Sequence, residues 1–180
     1  MSFDPKAYGA EVAAILALDG GGKRLMPLAG GQCSSTEALA LLKAAAAHKL
    51  FPRSRSPEAA LAGLYLYFSC WAEAHQVAQD IQTAEGSYWH ALVHRQEPDA
   101  FNAGYWFRRV GDHAIFPALR RYATGRGINF GLTWDPIAFI DYCGKARPGS
   151  EDESKARDVQ RAEWQLLFDH CARVVKHASA

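Results

Sequence analysis

The spacing of small and large residues in two consecutive stretches constrains the fold of this chain more than any other feature. Ala62, Tyr65, Ser69, Ala74, Ala78 and Ile81 follow one another at intervals of 3, 4, 5, 4 and 3 residues. Ala91, His94, Pro98, Ala103, Phe107 and Val110 repeat those intervals 29 residues further on. Intervals of three and four place side chains on one face of a helix. The interval of five follows a turn position, Ser69 in one stretch and Pro98 in the other. Each stretch therefore predicts a helical hairpin, with small residues where the two helices approach closely.

Start and stop signals extend the helical reading to both sides. Ser34, Ser35 or Thr36 can cap a helix whose first turn holds Glu37, and TEALALLKAAAAHKL then runs on strong helix formers to a stop before Pro52. His48 lies near the C-terminal end of that helix, as an exposed residue. FPRSRSPEAA is a polar connection, with Ser56 as the next cap and Pro57 at the first helical position. Asp99 is placed to cap a helix starting at Ala100. FPALRRYATGRG predicts a short helix ended by Gly125 and Gly127, INFGLTW an extended loop, and DPIAFIDYCGKA a helix capped by Asp135. PGSEDESKARD is expected to be a charged surface link into a last helix with Val159, Trp164, Leu167, Phe168 and Cys171 on one face. Arg173, Lys176 and His177 suit the C-terminal end of its dipole. Strand-like alternation is almost absent, so the expected class is all-α. The chain is read as one domain, 1–180: a glycine-containing segment 1–35, central hairpins 57–113 and C-terminal helices 134–177. A chain of this length buries about 70% of the surface its unfolded form exposes.

Several functional classes are excluded or disfavoured. With 20 basic and 19 acidic residues, the net charge of +1 gives no field that would draw nucleic acid or an anionic membrane. Cys33, Cys70, Cys143 and Cys171 are far apart, form no metal-binding spacing and are expected to be reduced core thiols. The apolar patch from Val12 to Leu18 is bracketed by Glu11 and Asp19, a poor signal peptide, and no run approaches the ~20 apolar residues that span a bilayer. The expected location is the cytoplasm. The run DGGGKR at 19–24 resembles the oxyanion loop of patatin-like acyl hydrolases, but the Gly-x-Ser-x-Gly turn that such chemistry requires does not occur, and a Walker loop fails on spacing. Gly20 to Gly22 are expected instead to allow positive φ in a loop.

The central pattern resembles the tetratricopeptide class of helix-turn-helix repeat, including its Sel1-like relatives. The resemblance covers about a third of the chain, with a period of 29 residues against about 34 for the class. It implies hairpin geometry and no groove at named residues. HALVHRQEPDAFNAGYWFRRVG, RLMPL, WDPIAFIDYC and EWQLLFDHC, spread from Arg24 to Cys171, resemble a family of small uncharacterised bacterial and fungal helical proteins, which brings no activity with it.

The candidate site is the segment 85–113, EGSYWHALVHRQEPDAFNAGYWFRRVGDH. His90 and His94 are four residues apart and share a helix face, Glu97 is about a turn further on, and His75 belongs to the preceding helix. Three imidazoles brought together would hold Zn²⁺ or another divalent metal and leave a position for water. The zincin motif is missing, because Ala91 follows His90. A metal-free polar ligand pocket and a hydrogen-bonded structural network are the other two readings. Glu97 is expected to pair with an arginine, or with His94 as an acid/base pair. Asn102, Trp106 and Arg109 form a stripe beside the buried Ala103, Phe107 and Val110, able to grip a carboxylate, a phosphate or a flat ring. His113 falls in a loop, where an exposed place is expected. No nucleophile elbow occurs, and the expected function is a non-enzymatic binding or scaffold protein with a histidine-containing pocket. The alternative is a metal-dependent or His94/Glu97 acid–base enzyme, a hydrolase acting on a small molecule. Expected partners are a small molecule or a protein, a second copy of the chain included, rather than nucleic acid or a membrane.

Overall fold

Most of the longer helices begin on a side chain that accepts the free amide protons of the first turn. In the computed structural model, which describes residues 3–175, Ser35 accepts from Ala38, Thr83 from Gly86, Asp99 from Asn102, Asp135 from Ile137 and Ala138, and Ser150 from Glu153. Ten α-helices result, with no strand among the described residues: α1 (Ala10–Ala17), α2 (Thr36–Ala44), α3 (Ala47–Leu50), α4 (Pro57–Tyr67), α5 (Trp71–Gln79), α6 (Ala84–Gln96), α7 (Ala100–Val110), α8 (Phe116–Thr124), α9 (Pro136–Lys145) and α10 (Glu151–Ala172). The all-α expectation holds. Lys176 and His177 lie outside the described residues.

Three local expectations need correction. The alanine-rich helix after Ser35 does not run unbroken to Leu50, because Ala45 and Ala46 are extended. The break lets Leu42 on one side and Leu50 and Phe51 on the other all enter the core, with Phe51 edge-on to Phe168. The acidic run after Gly149 is no link, since α10 starts at Glu151 and its first turn holds Glu151, Asp152 and Glu153 at the positive end of the dipole. Cys33 and Cys70 are not free thiols but a disulfide, whereas Cys143 and Cys171 are buried thiols. The pairing spans 37 residues and becomes reachable because the loop before α2 folds back on the end of α4, where the Ser34 N–H donates to the Phe68 carbonyl at 2.7 Å.

The glycine loop has a structural task. Gly20, Gly21 and Gly22 all take positive φ, and the loop closes around the hydroxyl of Tyr67 on α4. That hydroxyl accepts the N–H groups of Gly22 and Arg24, at 3.0 and 3.1 Å, and donates to the Asp19 carbonyl. The Gly22 amide of the run that resembles an oxyanion loop is thus engaged by a side chain of the chain itself.

Helix α4 is the spine of the molecule, buried continuously from Ala59 to Tyr67. A Cβ on Gly63 would lie 2.7 Å from the ring of Trp89 in α6, so the glycine is what allows α4 and α6 to meet. Its carbonyl accepts from Trp164 of α10 at 2.7 Å. Helices α4 and α5 form one hairpin and α6 and α7 another, with α5 packed on α6 and α10 lying across α4.

A buried ion pair ties α6 to α10. Arg95 Nη2 donates to Glu163 Oε2 at 2.7 Å, with side chains 1% and 0% exposed. Tyr88 donates to the other carboxylate oxygen at 2.9 Å, and the guanidinium lies 4.8 Å from the Phe139 ring centre. Gln160 accepts from Arg95 and donates to the carbonyls of Met26 and Pro27, which brings the N-terminal segment into the network. Arg95 is held above its usual pKa: burial opposes its charge, and Glu163, with Cys143 and Tyr88, more than offsets this.

Removing one partner leaves the other charge buried and alone, so Arg95→Met is expected to cost about 3–5 kcal/mol, and Arg95→Met with Glu163→Leu to recover much of it, read from denaturant midpoints. Cys33→Ser is expected to lower stability by about 3–4 kcal/mol, the entropy of opening a loop of this length, and a reductant should reproduce that loss in the wild type.

Candidate functional site

The orientation of α6 decides where its histidines go. At about 100° per residue, Tyr88 and Arg95 share one face and His90, His94 and Glu97 lie roughly opposite. With the first face bonded to Glu163, the second is turned toward α5 and α7.

There it meets His75 from α5. The Nε2 atoms of His75 and His90 lie 2.9 Å apart, so one ring donates and the other accepts. The rings of His90 and His94 stack at 4.8 Å, and His75 stands edge-on to both, at 4.4 and 5.3 Å. One ligand nitrogen from each ring falls within 4.8 Å of the other two. His90 Nδ1 is buried without a hydrogen-bond partner. His90 is 4% exposed and His94 9%, with His75 half-buried on the rim.

The surrounding residues divide into those that join the histidines and those that support them. Glu97 Oε2 lies 3.2 Å from His94 Nδ1 and Asp99 Oδ2 lies 4.0 Å away. The Glu97 contact is close in distance but not aligned as a hydrogen bond, and His94 Nδ1 has no aligned partner. With Nδ1 turned to these carboxylates, Nε2 is the nitrogen left for a ligand role. Glu97 therefore faces His94 and not Arg95, which is committed to Glu163. Asp99 caps α7 as expected and also holds the Asn102 amide at 2.7 Å, so Asn102 acts through Asp99. Trp106 stacks on His90 at 4.1 Å and packs partly against the core. Arg109 lies over the outer side of Trp106, 5.3 Å from that ring. Asn102 and Arg109 thus brace the site from outside the histidine cluster.

Electrostatics favour the neutral form of His90 and His94. The pKa of His90 is pushed down to about 4 by burial first, then by the neighbouring His75 and His94. His94 is also lowered, by burial, with Glu97 opposing. Neutral imidazole is the form that binds a metal.

A second cluster was not legible. Glu85, in the first turn of α6, His113, between α7 and α8, and His170, in the last turn of α10, bring one ligand atom each within 4.8 Å of one another. No local spacing could have signalled it, because the three residues are 28 and 57 positions apart. His113 is not the exposed loop residue expected: it is 8% exposed, turned inward edge-on to Tyr88 and close to Phe116. It also lines a cavity of about 460 Å³ with Phe116, Arg120, Arg121 and Trp134.

No protein-family model matches the chain, and no curated protein or solved structure is similar to it.

Two buried neutral histidines set the acid stability. His113, like His90, is pushed down to about 4, by burial first and then by His170. Unfolded histidine titrates near 6.5, so between about pH 6.5 and 4 the unfolded chain binds protons that the folded one does not. Stability of the metal-free protein is expected to be full above that window and to fall on acidification through it, by on the order of 2–3 kcal/mol for each group. Urea midpoints at pH 7 and pH 4.5 check this, and His90→Gln should flatten the dependence by about half.

Proposed function

We propose that the chain is a binding protein for a divalent metal ion of the borderline class, held by His75, His90 and His94. The observation that carries this reading is the convergence of three imidazoles from two helices, two of them with Nε2 atoms 2.9 Å apart. A cation bound by both Nε2 atoms would require the proton between them to move to Nδ1 of the donating ring, and the rings to part to the ~3.3 Å that Zn–N bonds of about 2.0–2.1 Å in a tetrahedral set require. Three protein ligands leave a fourth position, and the half-exposed His75 side is where solvent or a small ligand reaches it. Glu97 and Asp99 serve as the outer carboxylates that orient His94.

The alternative, a metal-dependent or His94/Glu97 acid–base hydrolase, is less well supported. Glu97 is engaged with His94 Nδ1, and the cavity of about 460 Å³ lies at His113 rather than at the three histidines. Binding gains support from Phe101 and Tyr105, 80% and 45% exposed on α7 beside the site, which offer an apolar surface to a protein partner or a second copy. The tetratricopeptide-like reading rests on the two consecutive hairpins and on burial at most of the echoed positions. No helix among the described residues is long and apolar enough to cross a membrane. The Cys33–Cys70 bond favours an oxidising compartment, and a cytoplasmic place requires that it form transiently.

Elemental analysis of untagged protein equilibrated with Zn²⁺ and freed of excess tests the proposal. His90→Ala with His94→Ala is expected to bind one equivalent fewer than the wild type, with helical content retained. Equal metal in both proteins, or none in either, contradicts it.

A further inference from the structure

We propose that Glu85, His113 and His170 form a second cation site, for a first-row divalent ion bound by two imidazoles and one carboxylate. It is separate from the three-histidine site and draws on three distant parts of the chain: the start of α6, the turn between α7 and α8, and the end of α10. His170 Nε2 lies 3.2 Å from Glu85 Oε1, and the rings of His113 and His170 are 4.9 Å apart at 62°.

The pointer to a ligand is His113. It is more than nine-tenths buried, and its Nε2 has no hydrogen-bond partner. Its Nδ1 accepts the N–H of Ile115 at 3.4 Å, a long bond. A buried polar atom without a partner costs about 1–3 kcal/mol, a cost that a ligand at Nε2 would offset. Coordination through Nε2 compensates by moving the ring proton to Nδ1, and what is given up is that one long bond.

The charge balance suits a cation. Burial opposes ionisation of Glu85, but its own N–H, the Thr83 hydroxyl and His170 outweigh it, and the carboxyl is held below its usual range. That charge faces two imidazoles, and against it stand Arg55 near His113 and Arg120 and Arg121 in the wall of the adjoining cavity. Two nitrogens and one carboxylate oxygen with further positions open suit Fe²⁺, Mn²⁺, Co²⁺ or Zn²⁺ better than Ca²⁺ or Mg²⁺, which prefer all-oxygen sets. His113 belongs both to the cluster and to the wall of the cavity formed with Phe116, Arg120, Arg121 and Trp134.

The test is a titration of chelator-treated full-length protein with Co²⁺, followed by visible absorption and by bound metal after gel filtration. It uses wild type, His90→Ala with His94→Ala, His170→Ala, and all three changes together. Expected are two equivalents, one, one and none. His170→Gln, which can still hydrogen-bond Glu85, keeps the comparison valid if His170→Ala fails to fold, and Glu85→Gln should weaken the remaining equivalent at least tenfold. One equivalent that survives His90→Ala with His94→Ala and disappears with His170→Ala supports this site and sinks the three-histidine one. Binding unaffected by both His170 variants overturns the proposal, as does a wild type that binds only the equivalent lost with His90 and His94.

Discussion

The Arg95–Glu163 pair is the constraint on which the remaining geometry depends. Two charges with almost no exposure are costly to bury unless each finds the other. Tyr88 bonds the second carboxylate oxygen, Gln160 accepts from Arg95 Nη2 beside the carboxylate, and the Phe139 ring covers a face of the guanidinium, whose Nε and Nη1 have no hydrogen-bond partner. Because Tyr88 and Arg95 sit two turns apart on one face, bonding both to the same carboxylate fixes the rotation of α6 about its axis. A helix clamped in rotation presents its opposite face without choice, and that face holds His90 and His94.

Close packing turns this orientation into a site. Gly63 lets α4 approach the Trp89 ring, and α5, the second arm of the α4 hairpin, sets His75 against His90. The disulfide fastens the entry to α5 at Cys70, five residues before His75, to the loop that precedes α2. Trp106 then closes the far side of His90 from α7. Each imidazole is placed by a different packing contact, and none of the three depends on a flexible loop. The charged forms of His90 and His94 are disfavoured by the same burial.

What was legible in the sequence was what is local. Capping residues, the hairpin echo and the i, i+4 placement of His90 and His94 follow from helix geometry, and His75 was reachable because consecutive hairpin helices pack together. The Cys33–Cys70 bond was not, since it depends on how a glycine-rich loop folds around the Tyr67 hydroxyl. The break at Ala45 escaped because alanine propensity favours continuation and only the demand to bury Leu50 and Phe51 opposes it. Arg95 reads as a surface arginine until Glu163, 68 residues away, is placed against it. His113 carried the wrong expectation for the same reason: a polar residue after Gly111 and Asp112 reads as exposed, and its burial comes from α10 and Tyr88. Long-range pairing of polar groups leaves no periodic trace.

Two clusters of imidazole side chains on one small helical domain give the molecule a chemical character that its near-zero net charge conceals. In both, side chains from distant parts of the chain or from separate helices converge, and a carboxylate lies against one histidine. The central claim is that the three imidazoles of α5 and α6 are metal ligands and not a hydrogen-bonded core network. Diffraction from crystals grown with zinc, recorded on both sides of its absorption edge, tests that claim directly. The account predicts an anomalous peak within about 2.1 Å of one nitrogen each of His75, His90 and His94. Full zinc occupancy elsewhere, with the His75 and His90 Nε2 atoms still at hydrogen-bond distance and no peak between them, would contradict it.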